Sequence, residues 1–251
     1  MKIIFFIFIW VGTVLFAKDY ALIITIGHYK HTTSLSGSHH DNFVYKEILK
    51  KWGVSNIVSL EDAQATRKNI LYHLSSLTKK MKKGDRFYMF FSGHGSSLYD
   101  AQYSAKFQQA GLTKLLKDSG VILPYDFNPK KISQTVLIGK RDLRPYLETI
   151  DSKVEQGIIV FDACYSEQSI RNGNSQKSIN RTPNILTSSN GYPYKNIIYI
   201  ASSITEAKSG KFSPILKSCM HDIFLLSDVK KCINKKMDKS FQIPVVLSYG
   251  K

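Results

Sequence analysis

The amino-acid sequence predicts an α/β fold: a mostly parallel six-stranded sheet with helices on both faces. Two observations predict it. Short apolar, β-branched runs alternate along the chain with stretches of helical period. Strands separated by whole helices can pair only through crossover connections, which make neighbours parallel and cover the sheet on both sides. The runs are also continuously apolar rather than alternating, as in strands buried on both faces.

The first residues stand apart from that pattern. Met1-Lys2 precedes an uninterrupted apolar run over residues 3–16, followed by Ala17. A basic start, a run of this length and a small residue at its end form a secretory signal peptide, 1–17, with 18–251 as the mature domain. A membrane span needs about 20 apolar residues. An uncleaved N-terminal anchor is the alternative. Both place the folded part outside the cytoplasm, in the periplasm or secreted.

Residues 20–26 read as a first strand ending at Gly27, and 39–52 as a helix with Ser38 as its N-cap and Gly53 as its stop. A second strand covers 56–60. Thr66 then caps a helix running to Lys83, with Ile70, Leu71, Leu74 and Leu77 on one face and Gly84 after it. Residues 86–91 make a third strand. The stretch 96–131 reads as irregular, with a short helix at 112–116. A helix over 142–154, a fourth strand at 157–161, a fifth at 196–201, a mostly helical 214–236 and a last strand at 243–248 complete the order. Between the fourth and fifth strands, 166–195 is rich in Asn, Ser and Lys, a long mobile loop.

With 43% hydrophobic and 22% charged residues, the chain of 251 residues is neither disordered nor fibrous, and its length suits one domain. The net charge of +16 raises the question of nucleic acid or an anionic surface as partner. However, the lysines are scattered in short clusters such as Lys79-Lys80-Met81-Lys82-Lys83, with no zinc-finger spacing and no aromatic RNA-binding signature. A solvated basic surface is the expectation, and nucleic acid is not an expected partner. Of the three cysteines, Cys219 and Cys232 could pair, but two buried small hydrophobes are the expectation. Nothing in the Cys and His spacing marks a structural metal. His39-His40-Asp41 could hold one in principle, yet His28, His31, His39, His40, His73 and His221 read as loop or surface residues.

Two apolar strands end in polar tips: Ser92-Gly93-His94-Gly95, and Asp162-Ala163-Cys164-Tyr165-Ser166. In a parallel sheet, sites form beyond the carboxyl ends of strands. Glycines flanking His94 let the backbone turn and approach a ligand. A thiol beside an imidazole is a nucleophile: the imidazole stabilises the thiolate, then hands a proton to the leaving amine. Backbone N–H groups of Cys164 and Gly95 are the candidate donors to a tetrahedral oxyanion.

YALIITIGHY, LSGSHHDN, the helix start Ala65 to Ile70, GDRFYMFFSGHG and IIVFDACYS, in that order, resemble the caspase-like peptidases, with metacaspases and bacterial caspase homologues nearest. The resemblance covers nearly all of 19–251. It implies the caspase-like fold and endopeptidase activity, with Cys164 as nucleophile, His94 as its partner and Gly95 in the oxyanion hole. In metacaspases an acidic pocket selects Arg or Lys before the cleaved bond, and the matching positions are Asp162 and Asp41, with Ser92 and Ser38 lining the floor. A desolvated guanidinium needs such a carboxylate. A protein or peptide cut after a basic residue is therefore the implied partner.

Three departures accompany it. Metacaspases often use calcium, but the middle segment offers only Asp100, Asp118 and Asp126, and Glu167 is followed by Gln168 and Ser169. A calcium requirement is not expected, since calcium takes several oxygen ligands. Glu167 replaces the family's usual glycine, and His28 its common Asn. The loop 166–195 carries Arg171, Lys177, Arg181 and Lys195, sites for self-cleavage. A catalytically silent binding module of the cell envelope is the rival reading, and the intact Cys164–His94 pair speaks against it.

Overall fold

The structure is a computed structural model that describes residues 17–98, 100, 102–116, 119–164, 193–202, 210–220, 226–237 and 245–248. The leader apart from Ala17, and most of the 166–195 segment, lie outside the described residues. Among these, no helix is long and apolar enough to cross a membrane.

The principal sheet runs β2 (Asn56–Glu61), β1 (Asp19–Thr25), β3 (Asp85–Ser96), β6 (Val154–Cys164), β7 (Ile197–Ala201), β8 (Val245–Leu247). The first five are parallel, as the crossover argument predicts, while β8 joins β7 antiparallel. Two short strands, β4 (Val121–Ile122) and β5 (Leu137–Ile138), extend antiparallel from the end of β3. The sheet is therefore mixed, and its antiparallel arm was not foreseen: two-residue strands leave no period to read.

Burial follows the pleat. On one face Leu22, Ile24, Phe87, Met89, Phe91, Ile159 and Phe161 pack under α2 (Arg67–Lys80) and α6 (Arg144–Asp151). On the other, Ala21, Ile23, Tyr88, Phe90, Ile158 and Val160 pack under α1 (Ser38–Lys51), α7 (Phe212–Cys219) and α8 (Leu226–Lys236). Both faces being apolar is why the strands read as unbroken runs. Within the 96–131 stretch lie α3 (Ser104–Gln109), which was not expected, and α4 (Thr113–Leu116), where a short helix was, and α5 (Ile132–Thr135) follows directly.

Three local readings change. Thr66 does cap α2, accepting from the Asn69 N–H at 3.2 Å. Ser38, by contrast, is the first residue of α1 and not its cap: the helix follows Gly37 without a side-chain cap, and the Ser38 hydroxyl is buried 3.3 Å from that of Ser92. The third strand does not stop at Phe91 but continues to Ser96, because residues 92–94 keep pairing with 162–164. Finally, Cys219 and Cys232 form a disulfide, with Cα atoms 5.6 Å apart, where unpaired thiols were expected. In one continuous helix 13 residues would separate them by about 20 Å. The segment instead splits into α7 and α8, which fold against each other and bring the sulfurs together.

Candidate active site

His94 lies within β3, in register with Cys164 of β6, so the two residues predicted to act together are neighbours across adjacent strands. Pairing to β6 and β4 holds this stretch extended. Neither Gly93 nor Gly95 takes a positive φ, so the glycines do not turn the chain. Gly93 serves a close approach instead: a Cβ there would sit 2.6 Å from the Tyr29 hydroxyl oxygen and 3.0 Å from Phe91. That hydroxyl accepts the His94 backbone N–H at 2.6 Å, and the two rings lie 4.8 Å apart. Gly95 stands in register with Ile122 of β4.

The His94 ring is oriented by a backbone group. Its Nε2 lies 2.9 Å from the Thr33 carbonyl oxygen. A carbonyl only accepts, so Nε2 carries the proton and Nδ1 presents a lone pair. Burial lowers the imidazole pKa below its ordinary value, against the opposing pull of the Thr33 carbonyl and Asp100. A neutral ring with a free Nδ1 is the form able to take a proton from a thiol.

The four residues predicted to line an acidic pocket come together one layer below. Asp162 is the register partner of Ser92. The Ser92 hydroxyl donates to Oδ2 of Asp41 at 2.6 Å, and Ser213 of α7 donates to Oδ1 at 2.6 Å. Asp41, Ser38, Ser92, Ser213 and Asp162 are all buried. Asp162 Oδ2 has no hydrogen-bond partner among the described residues, and neither do the hydroxyls of Tyr45 and Ser202. Desolvation, then the charge of Asp41, push the Asp162 carboxyl up to about 8, while Ser202 works weakly in the other direction without reaching hydrogen-bond geometry. Burial and the same two carboxylates push the Tyr45 phenol well above its usual range.

The family profile described as the caspase domain (Peptidase_C14) matches residues 18–245. The chain belongs to the caspase-domain family. This is a family of cysteine peptidases. Metacaspase-1 of Plasmodium falciparum (isolate 3D7) is 33% identical over 161 residues, 60% of this chain. The chain spans only about a quarter of that relative's length, 24%. The fold is shared with the crystal structure of protein GSU0716 from Geobacter sulfurreducens, at a TM-score of 0.61 and 17% identity over 92% of each chain.

Several contributors to this caspase-like site escaped sequence reading. Thr33 acts through its carbonyl, which no side-chain pattern reports, and Tyr29 and Ser213 reach the site from a loop and from a distant helix. The acids weighed as calcium ligands are otherwise engaged: Asp100 accepts from the Ser96 hydroxyl at 2.6 Å and the Gln102 N–H at 2.9 Å, and Asp126 from the Arg67 N–H at 2.8 Å. Asp118 and Glu167 lie outside the described residues. The His39-His40-Asp41 triplet does not converge, because Asp41 is buried against serines while His40 is exposed. His39 meets His28 and Asp62 instead.

Proposed function

We propose that this chain is an exported cysteine endopeptidase that cleaves after Arg or Lys. His94 Nδ1 takes the proton of the Cys164 thiol, and the thiolate attacks the scissile carbonyl. The N–H groups of Cys164 and Gly95 receive the oxyanion, a contribution of about 3–4 kcal/mol per donor. The protonated imidazole then gives its proton to the departing amine, and water releases the acyl-enzyme through the same ring.

The observation that carries the specificity is the pairing of two buried carboxylates, Asp41 and Asp162, with Asp162 Oδ2 unpartnered among the described residues. Burying like charges together is costly unless a cation joins them. An extended basic side chain from a substrate supplies that cation, and a guanidinium can also reach hydroxyls such as those of Tyr45 and Ser202. Export rests on the leader pattern of 1–17 and is supported by the Cys219–Cys232 disulfide, a bond that persists in oxidising compartments.

The test is a fluorogenic peptide panel varying only the residue before the cleaved bond. Arg and Lys peptides are turned over, Asp peptides are not, and Cys164→Ala abolishes turnover. Equal rates for Arg and Asp peptides would defeat the pocket assignment, and activity surviving Cys164→Ala would defeat the mechanism.

A further inference from the structure

We propose that His28, His39 and Asp62 form a binding site for a zinc-like divalent cation, distinct from the Cys164–His94 pair. The three come from separate elements: His28 follows β1, His39 opens α1, and Asp62 follows β2. Three of their donor atoms converge. His28 Nδ1 and Asp62 Oδ2 are 3.0 Å apart, His39 Nε2 and His28 Nδ1 3.2 Å, and His39 Nε2 and Asp62 Oδ2 3.6 Å. Ligands about 2.0–2.1 Å from a tetrahedral metal lie about 3.3 Å from one another. The triangle thus has the size of one face of such a tetrahedron.

The surroundings prepare the donors. His39 Nδ1 lies 2.7 Å from Glu61 Oε1, and a carboxylate only accepts, so Nδ1 carries a proton and Nε2 offers its lone pair to the triangle. A ligand imidazole donating its second nitrogen to a carboxylate is the usual way such a ring is oriented. Asp62 is fixed as well: its Oδ1 accepts the N–H groups of Gly27 and His28 at 2.8 and 2.9 Å, leaving Oδ2 for the triangle. Without a metal, His28 Nδ1 donates to that Oδ2; on binding, the exposed ring carries its proton on Nε2 and Nδ1 becomes the ligand. Asp62 is also the one non-glycine with positive φ among the described residues, at 43°, a strained conformation of the sort that gathers at ligand sites. Gly27 leaves room for the imidazole, since a Cβ there would lie 3.0 Å from His39 Nε2.

Two nitrogens and one oxygen suit zinc and its first-row neighbours, whereas calcium takes six or more oxygens. The His28 side chain is 70% exposed, so the fourth position faces solvent and is open to water or a ligand. The bound cation ties both ends of the segment 28–39, from which the Tyr29 hydroxyl and Thr33 carbonyl reach His94. A solvated cluster of ion pairs is the competing explanation, and it predicts no metal affinity.

The experiment uses the untagged Cys164→Ala chain, which removes the thiol as a zinc ligand and makes the outcome independent of peptidase activity. After chelation and dialysis, zinc is titrated by calorimetry, and cobalt by its visible absorption. One equivalent per chain is expected, with a tetrahedral cobalt spectrum. His28→Ala and His39→Ala each weaken binding by about 100-fold or more, and Glu61→Gln by about 10–100-fold. The histidines are exposed enough that both variants fold, whereas Asp62→Asn disturbs a loop and is not decisive. No retained metal, or affinity unchanged by both histidine substitutions, overturns the site.

Discussion

The Ser92 hydroxyl donates to Oδ2 of Asp41 at 2.6 Å, tying the strand that bears His94 to the first turn of α1. Without it, Ser213 still donates to Oδ1 of Asp41 at 2.6 Å. Ser92→Ala leaves a buried carboxylate oxygen unsatisfied, a cost of about 1–3 kcal/mol. The expected result is a lower Tm and a KM for Arg peptides raised about tenfold, with kcat nearly unchanged. A kcat that falls with KM constant would place Ser92 in the chemical step instead.

Asp162 gives a pH signature. Its folded-state pKa, about 8, lies above the ordinary 3.8 because of burial and the charge of Asp41. The folded protein therefore holds a proton that the unfolded chain has already lost, and stability falls as pH rises between those values. Asp162→Asn removes this slope. At pH 8 it is expected to stabilise the free protein by about 1–2 kcal/mol, a few degrees in Tm, while raising KM for Arg peptides. Thermal melts of both proteins at pH 5 and pH 8 check it. A variant whose Tm keeps the full wild-type pH dependence would count against the raised carboxyl.

The parallel order of the sheet and the placing of His94 and Cys164 at neighbouring strand ends were legible because continuous apolar runs and strand-end motifs are local signals. Asp41, Asp162, Ser92 and Ser38 were placed only through resemblance, since nothing in their spacing says that a helix start packs on a strand two crossovers away. Thr33 stayed invisible because its contribution is a carbonyl. His28 and His39 read as surface residues for a related reason: their partners Glu61 and Asp62 arrive from another strand, and sequence spacing of ligands reveals only sites built within one element. The disulfide went unread because nothing in the mostly helical 214–236 marks the break between α7 and α8 that brings Cys219 to Cys232.

Gly93 and Tyr29 test how His94 is held. In Gly93→Ala the new Cβ would meet the Tyr29 oxygen at 2.6 Å, forcing that ring away from the His94 N–H. Misplacing a catalytic imidazole by about 1 Å costs about 100-fold in rate, so kcat is expected to fall by that order. Tyr29→Phe keeps the ring and deletes only the acceptor, and a smaller loss of about tenfold is expected. Equal, undiminished kcat in both would mean that the Tyr29 contact does not position the ring.

The disulfide makes the thiol count diagnostic. The chain has three cysteines, and with Cys219 joined to Cys232 a single free thiol remains, Cys164. Alkylation under non-reducing, denaturing conditions followed by mass spectrometry is expected to show one adduct, on Cys164, rising to three after reduction. Because the bond closes a short loop between α7 and α8, its loss in a Cys219→Ser, Cys232→Ser double variant costs about 3 kcal/mol. These helices pack on the face of the sheet that holds Ser213 against Asp41. The double variant is therefore expected to lose selectivity for Arg peptides before it loses reaction of Cys164 with a small electrophile. Three adducts without reductant would show that the two helices are held by packing alone.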